Sequence, residues 1–163
     1  MDIWVVSLSH FLHILGTVVW IGGILMVIFV ILPSAKASLE ATPMIGRLMK
    51  EVTQHFTLLA NISIFVLIGT GIIIFYYDKN YISILSQKNT WNVVISLKLL
   101  FVAVMVVIHF YRGLILNPKI AKSSTQANET QATRLKKFSL DLVKTNFALG
   151  IIVLMLAAVS ISL

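Results

Sequence analysis

"IWVVSLSHFLHILGTVVWIGGILMVIFVIL", residues 3–32, decides the fold. It contains no Asp, Glu, Lys or Arg, and it exceeds the roughly 20 helical residues that cross the hydrocarbon core of a bilayer. Further apolar runs follow at 56–77, 91–116 and 140–163. Trp4, Tyr76, Tyr77, Tyr81, Trp91 and Tyr111 stand near the ends of these runs, as interfacial aromatics do. No period-two alternation suggests a barrel, and lipid admits only helices or closed barrels. The expected fold is therefore all-α, an integral membrane four-helix bundle forming a single transmembrane domain over 1–163.

Composition agrees. The chain has 163 residues, 58% of them hydrophobic and 12% charged. A soluble domain is about half apolar and about a quarter charged. The chain has no cysteine, which excludes disulfides, thiolate-bound metal and a Cys nucleophile, and leaves any metal or haem to His, Met or carboxylates. Lys and Arg number 13 against 6 Asp and Glu. They cluster between the apolar runs, as membrane topology requires, so the expected partner is the lipid bilayer and not nucleic acid. The N-terminus lacks a basic leader and a small-residue cleavage site, and reads as a retained first span of a multi-pass protein of the cell (cytoplasmic) membrane.

Orientation follows from the loops. Residues 33–55 carry Lys36, Arg47 and Lys50, while 117–139 carry Lys119, Lys122, Arg134, Lys136 and Lys137, with Arg112 just before them. The 78–90 connection has only Lys79 and Lys88. The positive-inside rule puts the two basic loops in the cytoplasm and both termini outside. Thr42-Pro43 suits a helix start, whereas "NPKIAKSSTQANETQATRLKKF" (117–138) is polar and turn-prone and reads as a flexible cytoplasmic loop.

Two faces carry the candidate chemistry. Ser9, His13, Gly16, Trp20 and Gly23 recur at intervals of 4, 3, 4 and 3, which makes one stripe on the first helix. Gly16 lets a second helix or a flat cofactor approach the backbone beside His13. His10 lies next to that stripe as an alternative ligand. On the third helix Lys98, Val102, Met105, His109 and Arg112 repeat the same intervals. His55 opens the second run. An ionisable residue inside a membrane is costly and marks a site by default. His55 and His109 lie toward the cytoplasmic side, whereas His13 stands ~14 Å beyond Trp4 in the outer half. His55 with His109 is thus a feasible axial pair, with His13 as a further ligand. Imidazole binds both haem iron and copper, and Lys98 and Arg112 could hold propionates.

"LHILGTVVWIGG" (12–23) resembles the first span of the copper-resistance D (CopD-like) membrane family, in which a His is followed by a small residue, a Trp and a Gly pair, as in His13, Gly16, Trp20, Gly22 and Gly23. "HFTLLANISIFVLIGTGI" (55–72) is similar to that family's second span. "TWNVVISLKLLFVAVMVVIHFY" (90–111) resembles the related HemJ-like proteins, haem-b membrane proteins assigned as protoporphyrinogen oxidases, where a Lys precedes a His by eleven residues, as Lys98 precedes His109. The Arg those proteins carry late in the first span is absent from "LMVIFVILPS" (25–34).

The leading expectation is a b-type haem protein with one or two haems, ligated among His13, His55 and His109. It would work in electron transfer, as a subunit of a membrane redox complex or a homodimer, and so as an oxidoreductase component. The alternatives are copper transport or resistance, with copper as the bound metal, and a HemJ-like oxidase. No hydrolase constellation is present. The orientation predicts that a cysteine placed at Lys137 reacts with an impermeant maleimide only after cells are permeabilised; ready labelling of intact cells would reverse the topology.

Overall fold

A computed structural model describes residues 3–39, 42–77, 90–125 and 129–162. All regular structure among them is helical. The helices are α1 (Ile3–Met26), α2 (Leu32–Ser38), α3 (Thr42–Tyr77), α4 (Thr90–Tyr111), α5 (Asn117–Thr125) and α6 (Glu129–Ser162), with π-turns at Val27–Ile31 and Arg112–Leu116. Four continuous helical stretches, Ile3–Ser38, Pro43–Tyr77, Thr90–Ser123 and Thr130–Ser162, are long and apolar enough to cross a membrane. Their outward side chains include Leu8, Phe11, Ile14, Phe65, Ile72, Leu99, Val107 and Met155, all exposed. Such a surface is stable only in lipid, and the protein is a multi-pass membrane protein.

The helices run well past the apolar runs. Residues 33–38, expected as loop, are helical, and α3 begins at Thr42, where the Thr42-Pro43 pair suggested a helix start well before the apolar run. The expected flexible loop 117–138 is also corrected: its described residues belong to α5 and to the first turns of α6. Hydropathy sees only the part of a helix that lies in hydrocarbon. The Lys, Arg, Gln, Glu and Ala of these segments are good helix formers that continue the helix into water.

Both π-turns have the same cause. Pro33 and Pro118 each stand two residues past the end of a π-turn. Proline lacks an N–H and its ring presses on the carbonyl four residues back, here those of Phe29 and Leu114. The helix yields by widening: the N–H of Leu32 donates to the Val27 carbonyl and that of Asn117 to the Arg112 carbonyl, each five residues back.

The chain forms two compact units, Met1–Ile84 and Leu85–Leu163. In the first, α1 packs along α3. His13 meets Thr70, Gly16 faces Leu67 and Ser63, and Gly23 faces Phe56, so positions rise on α1 as they fall on α3 and the pair is antiparallel. The stripe expected on α1 is this interface: Ser9, Gly16 and Trp20 are buried, against Ala60, Ser63, Ile64 and Thr70 of α3. In the second unit α4 and α5 both pack on α6. Only residues 126–128 separate α5 from α6, too few to return the chain parallel, so this pair is antiparallel too.

Glycine at 23 is a steric requirement. A Cβ there would run into the ring of Phe56, whereas one on Gly22 would meet nothing within 4 Å. Gly23→Ala should therefore destabilise the first hairpin by about 1–3 kcal/mol, as overpacking does. Gly22→Ala should be neutral or slightly stabilising. Thermal unfolding of the two variants in one detergent checks this, and equal melting temperatures would refute the packing.

Candidate functional site

In the first hairpin the site begins with a hydrogen bond between helices. His13 Nδ1 lies 2.9 Å from Thr70 Oγ1. Thr70 has one hydroxyl proton, and it is directed at the Val66 carbonyl at 2.6 Å. The hydroxyl oxygen therefore accepts from His13, which fixes the proton on Nδ1 and the lone pair of the neutral ring on Nε2. A metal or haem iron would bind at Nε2, and an acceptor on the other ring nitrogen, as Thr70 is here, holds a ligating imidazole in that tautomer. His13 is half-buried, and its Cε1 would lie 3.6 Å from a Cβ at Gly71, an ordinary contact.

The face around Gly16 holds a helix. A Cβ on Gly16 would lie 3.2 Å from Leu67 Cγ and 3.4 Å from the Ser63 carbonyl oxygen, so α3 uses the close approach that glycine permits. His10 is exposed beside the stripe. His55 is exposed as well, and its Nδ1 donates to the Glu51 carbonyl at 2.9 Å within its own helix.

In the second hairpin His109 is 6% exposed and Met105, one turn before it on the same face, is 1% exposed. The His109 ring meets Phe110 edge-on, with centroids 5.5 Å apart. Arg112 opens the π-turn, and its Nε donates to Ser139 Oγ on α6 at 3.2 Å. Lys98 is half-buried on the same face. The buried residues of α6 include Ala132, Ser139, Val143, Asn146, Gly150 and Val153. Asn146 is 3% exposed, and its Oδ1 finds no hydrogen-bond donor among the described residues. The sequence reading passed over Asn146, because one Asn in an apolar run carries no spacing pattern. A polar side chain at the centre of "LVKTNFALGIIV" (142–153) was nevertheless the available signal.

Among the described residues no three His, Asp or Glu side chains come together to hold a metal ion. His13 and His55 lie in the first unit and His109 in the second. Within the second unit Met105 and His109 are both buried, one helical turn apart on α4.

A family model described as copper resistance protein D matches residues 50–160. No curated protein and no solved structure gives a match. The matched segment takes in His55, Lys98, Met105, His109, Arg112 and Asn146, while His10, His13 and Gly16 precede it. The match favours the copper alternative of the sequence reading, and nothing in it supports the leading expectation of haem b.

The His13–Thr70 bond has a measurable consequence. Thr70→Val removes the acceptor at nearly constant volume and should lower the stability of the hairpin by about 0.6–1.7 kcal/mol, the measured range for such bonds between membrane helices. Thr70→Ser should keep most of it. Unfolding of both variants in mixed micelles, against His13→Ala as the common background, isolates the coupling; a zero coupling energy would remove the bond from the argument.

Proposed function

The chain belongs to the copper resistance protein D family, and on that premise we propose that it binds copper as cargo within the membrane, at Met105 and His109 of α4. The observation that carries the proposal is the burial of a thioether and an imidazole one turn, ~6 Å, apart on one face of a membrane helix. Cu(I) is a soft ion served by Met and His, and this chain has no Cys to offer instead. Two neutral ligands leave the ion its charge, and Arg112 lies one turn beyond His109, within about 5–6 Å between Cβ atoms. Its cation opposes the cargo. A site weakened in this way releases what it binds, as a cargo site must, whereas a storage site would not.

His13 is a second station for the same ion in the other hairpin, with its lone pair already set on Nε2 by Thr70. That same feature favours the second reading, haem b, because an axial histidine also binds through one nitrogen and donates the other N–H. The orientation with both termini outside, and assembly with other subunits or a second copy, belong to the proposal as well.

Titration of the purified protein in nanodiscs with Cu(I), against a chromophoric Cu(I) chelator, tests the site. Met105→Leu conserves volume and removes only the sulfur. It and His109→Ala should each weaken Cu(I) binding by more than about 10-fold, and Arg112→Gln should tighten it. Wild-type affinity in both ligand variants would overturn the copper site. A reduced-minus-oxidised spectrum with b-type bands that vanish in His13→Ala would establish haem in its place.

A further inference from the structure

The polar end of the second hairpin carries twice the cations of the first. From 112 to 140 the sequence has Arg112, Lys119, Lys122, Arg134, Lys136 and Lys137 against one acid, Glu129. The first hairpin's stretch, 33–55, has Lys36, Arg47 and Lys50 against Glu40 and Glu51. The Lys and Arg bias that orients a hairpin is met there with three cations. The second hairpin goes well beyond it.

The fold gathers this excess at one level. α5 packs on α6 and runs antiparallel to it, so Lys119 and Lys122 stand at the same end of the hairpin as Arg134, Lys136 and Lys137. All five are exposed, whereas Arg112 is tied to Ser139. Along the helix axis Lys119 lies ~4.5 Å and Lys122 ~9 Å past Leu116, where the apolar run ends. On α6, Lys137, Lys136 and Arg134 lie ~1.5, ~3 and ~6 Å outside Phe138. The headgroup layer on each side of a bilayer is about 5–8 Å deep. Long Lys and Arg stems reach it from each of these positions. Just inside that layer the hairpin exposes Tyr111, Leu114, Ile115 and Phe138.

We propose that this end of the second hairpin is a binding site for anionic phospholipid. Lys119, Lys122, Arg134, Lys136 and Lys137 hold the charged headgroup, and the acyl chains lie on Leu114, Ile115 and Phe138. A zwitterionic lipid has the same phosphate but brings its own cation, so net charge is what the site selects. A soluble acidic protein would have to reach through the headgroups to meet these side chains, which favours the lipid as occupant. The inference stands apart from copper and uses none of the candidate ligands.

The test is native mass spectrometry of the full chain, stripped of lipid in a neutral detergent and titrated with phosphatidylglycerol or phosphatidylcholine. Detergent has no leaflets, so orientation does not enter. The first phosphatidylglycerol should bind at least about 5-fold more tightly than the first phosphatidylcholine, the worth of one cation near a membrane surface. Replacing all five cations by Gln should bring the two lipids to parity. If that variant fails to fold, Lys119→Gln/Lys122→Gln and Arg134→Gln/Lys136→Gln/Lys137→Gln are read separately, and each should lose part of the preference. Lys36→Gln/Arg47→Gln/Lys50→Gln in the first hairpin should keep it. Equal affinities in wild type overturn the site and leave the cations to orientation or to a soluble acidic partner. A preference that survives all five substitutions, or that is lost equally in the first-hairpin variant, overturns its assignment to this hairpin.

Discussion

In hydrocarbon no water replaces a lost hydrogen bond, so every backbone group must find its partner inside the protein. The four spanning helices follow from that constraint, and so does the way they bend. Pro33 and Pro118 each remove a donor near the end of a spanning helix, and the chain keeps its carbonyls bonded by widening to a π-turn. Arg112 is the first residue of the second π-turn, and its carbonyl accepts the long bond from Asn117. Its side chain is anchored to Ser139 across the hairpin. The backbone repair and the charged end of the candidate site thus sit in one turn of helix.

The same constraint applies to side chains. A polar side chain in this protein is tolerable where a neighbour satisfies it, and the nearest neighbour is usually a carbonyl one turn back. Ser9, Thr17, Thr57 and Thr145 all donate to the carbonyl four residues before them. These groups are locally quenched and carry no information about function. Thr70 does the same, yet its oxygen also accepts across the interface from His13. A hydroxyl that has spent its proton at home can only accept abroad, and that asymmetry is what fixes the histidine's tautomer. Asn146 Oδ1, by contrast, has no hydrogen-bond partner among the described residues.

The sequence made the interfaces legible and their occupants less so. The stripe of Ser9, His13, Gly16, Trp20 and Gly23 was readable because small residues at helical spacing mark a close approach, and α3 lies there. Whether a helix or a flat cofactor would fill the approach could not be read, since glycine admits both. Thr70 was invisible as a partner because pairing between helices depends on register, which no single helix encodes. The early start of α3 was legible in Thr42-Pro43, whereas the helical extents of 33–38 and 117–125 were hidden because polar helix formers and polar loops share a composition. On the third helix the face bearing Lys98, Met105, His109 and Arg112 was readable from its spacing. Charges, an imidazole and a sulfur share that face, and spacing alone does not say which of them a ligand meets.

The two hairpins are variations on one plan, which shows how a site can be placed without changing a scaffold. Each has a long spanning helix, a π-turn, a proline two residues later, a short helix, and a second spanning helix packed back along the first. Superposing the π-turns in sequence, Val27 on Arg112 and Pro33 on Pro118, brings Trp20 onto Met105 and His13 onto Lys98. Trp20 and Met105 are both almost fully buried, at 2% and 1% exposure. The geometry common to the repeats fixes a deep apolar position on the helix before each π-turn, and the chemistry differs around it. In the first hairpin the histidine stands two turns before that position and finds a hydroxyl on the facing helix. In the second it stands one turn after, just before the π-turn, and a thioether takes the place of the indole. An indole at one of these buried positions and a soft sulfur at the other both leave the backbone constraint that built the hairpins untouched.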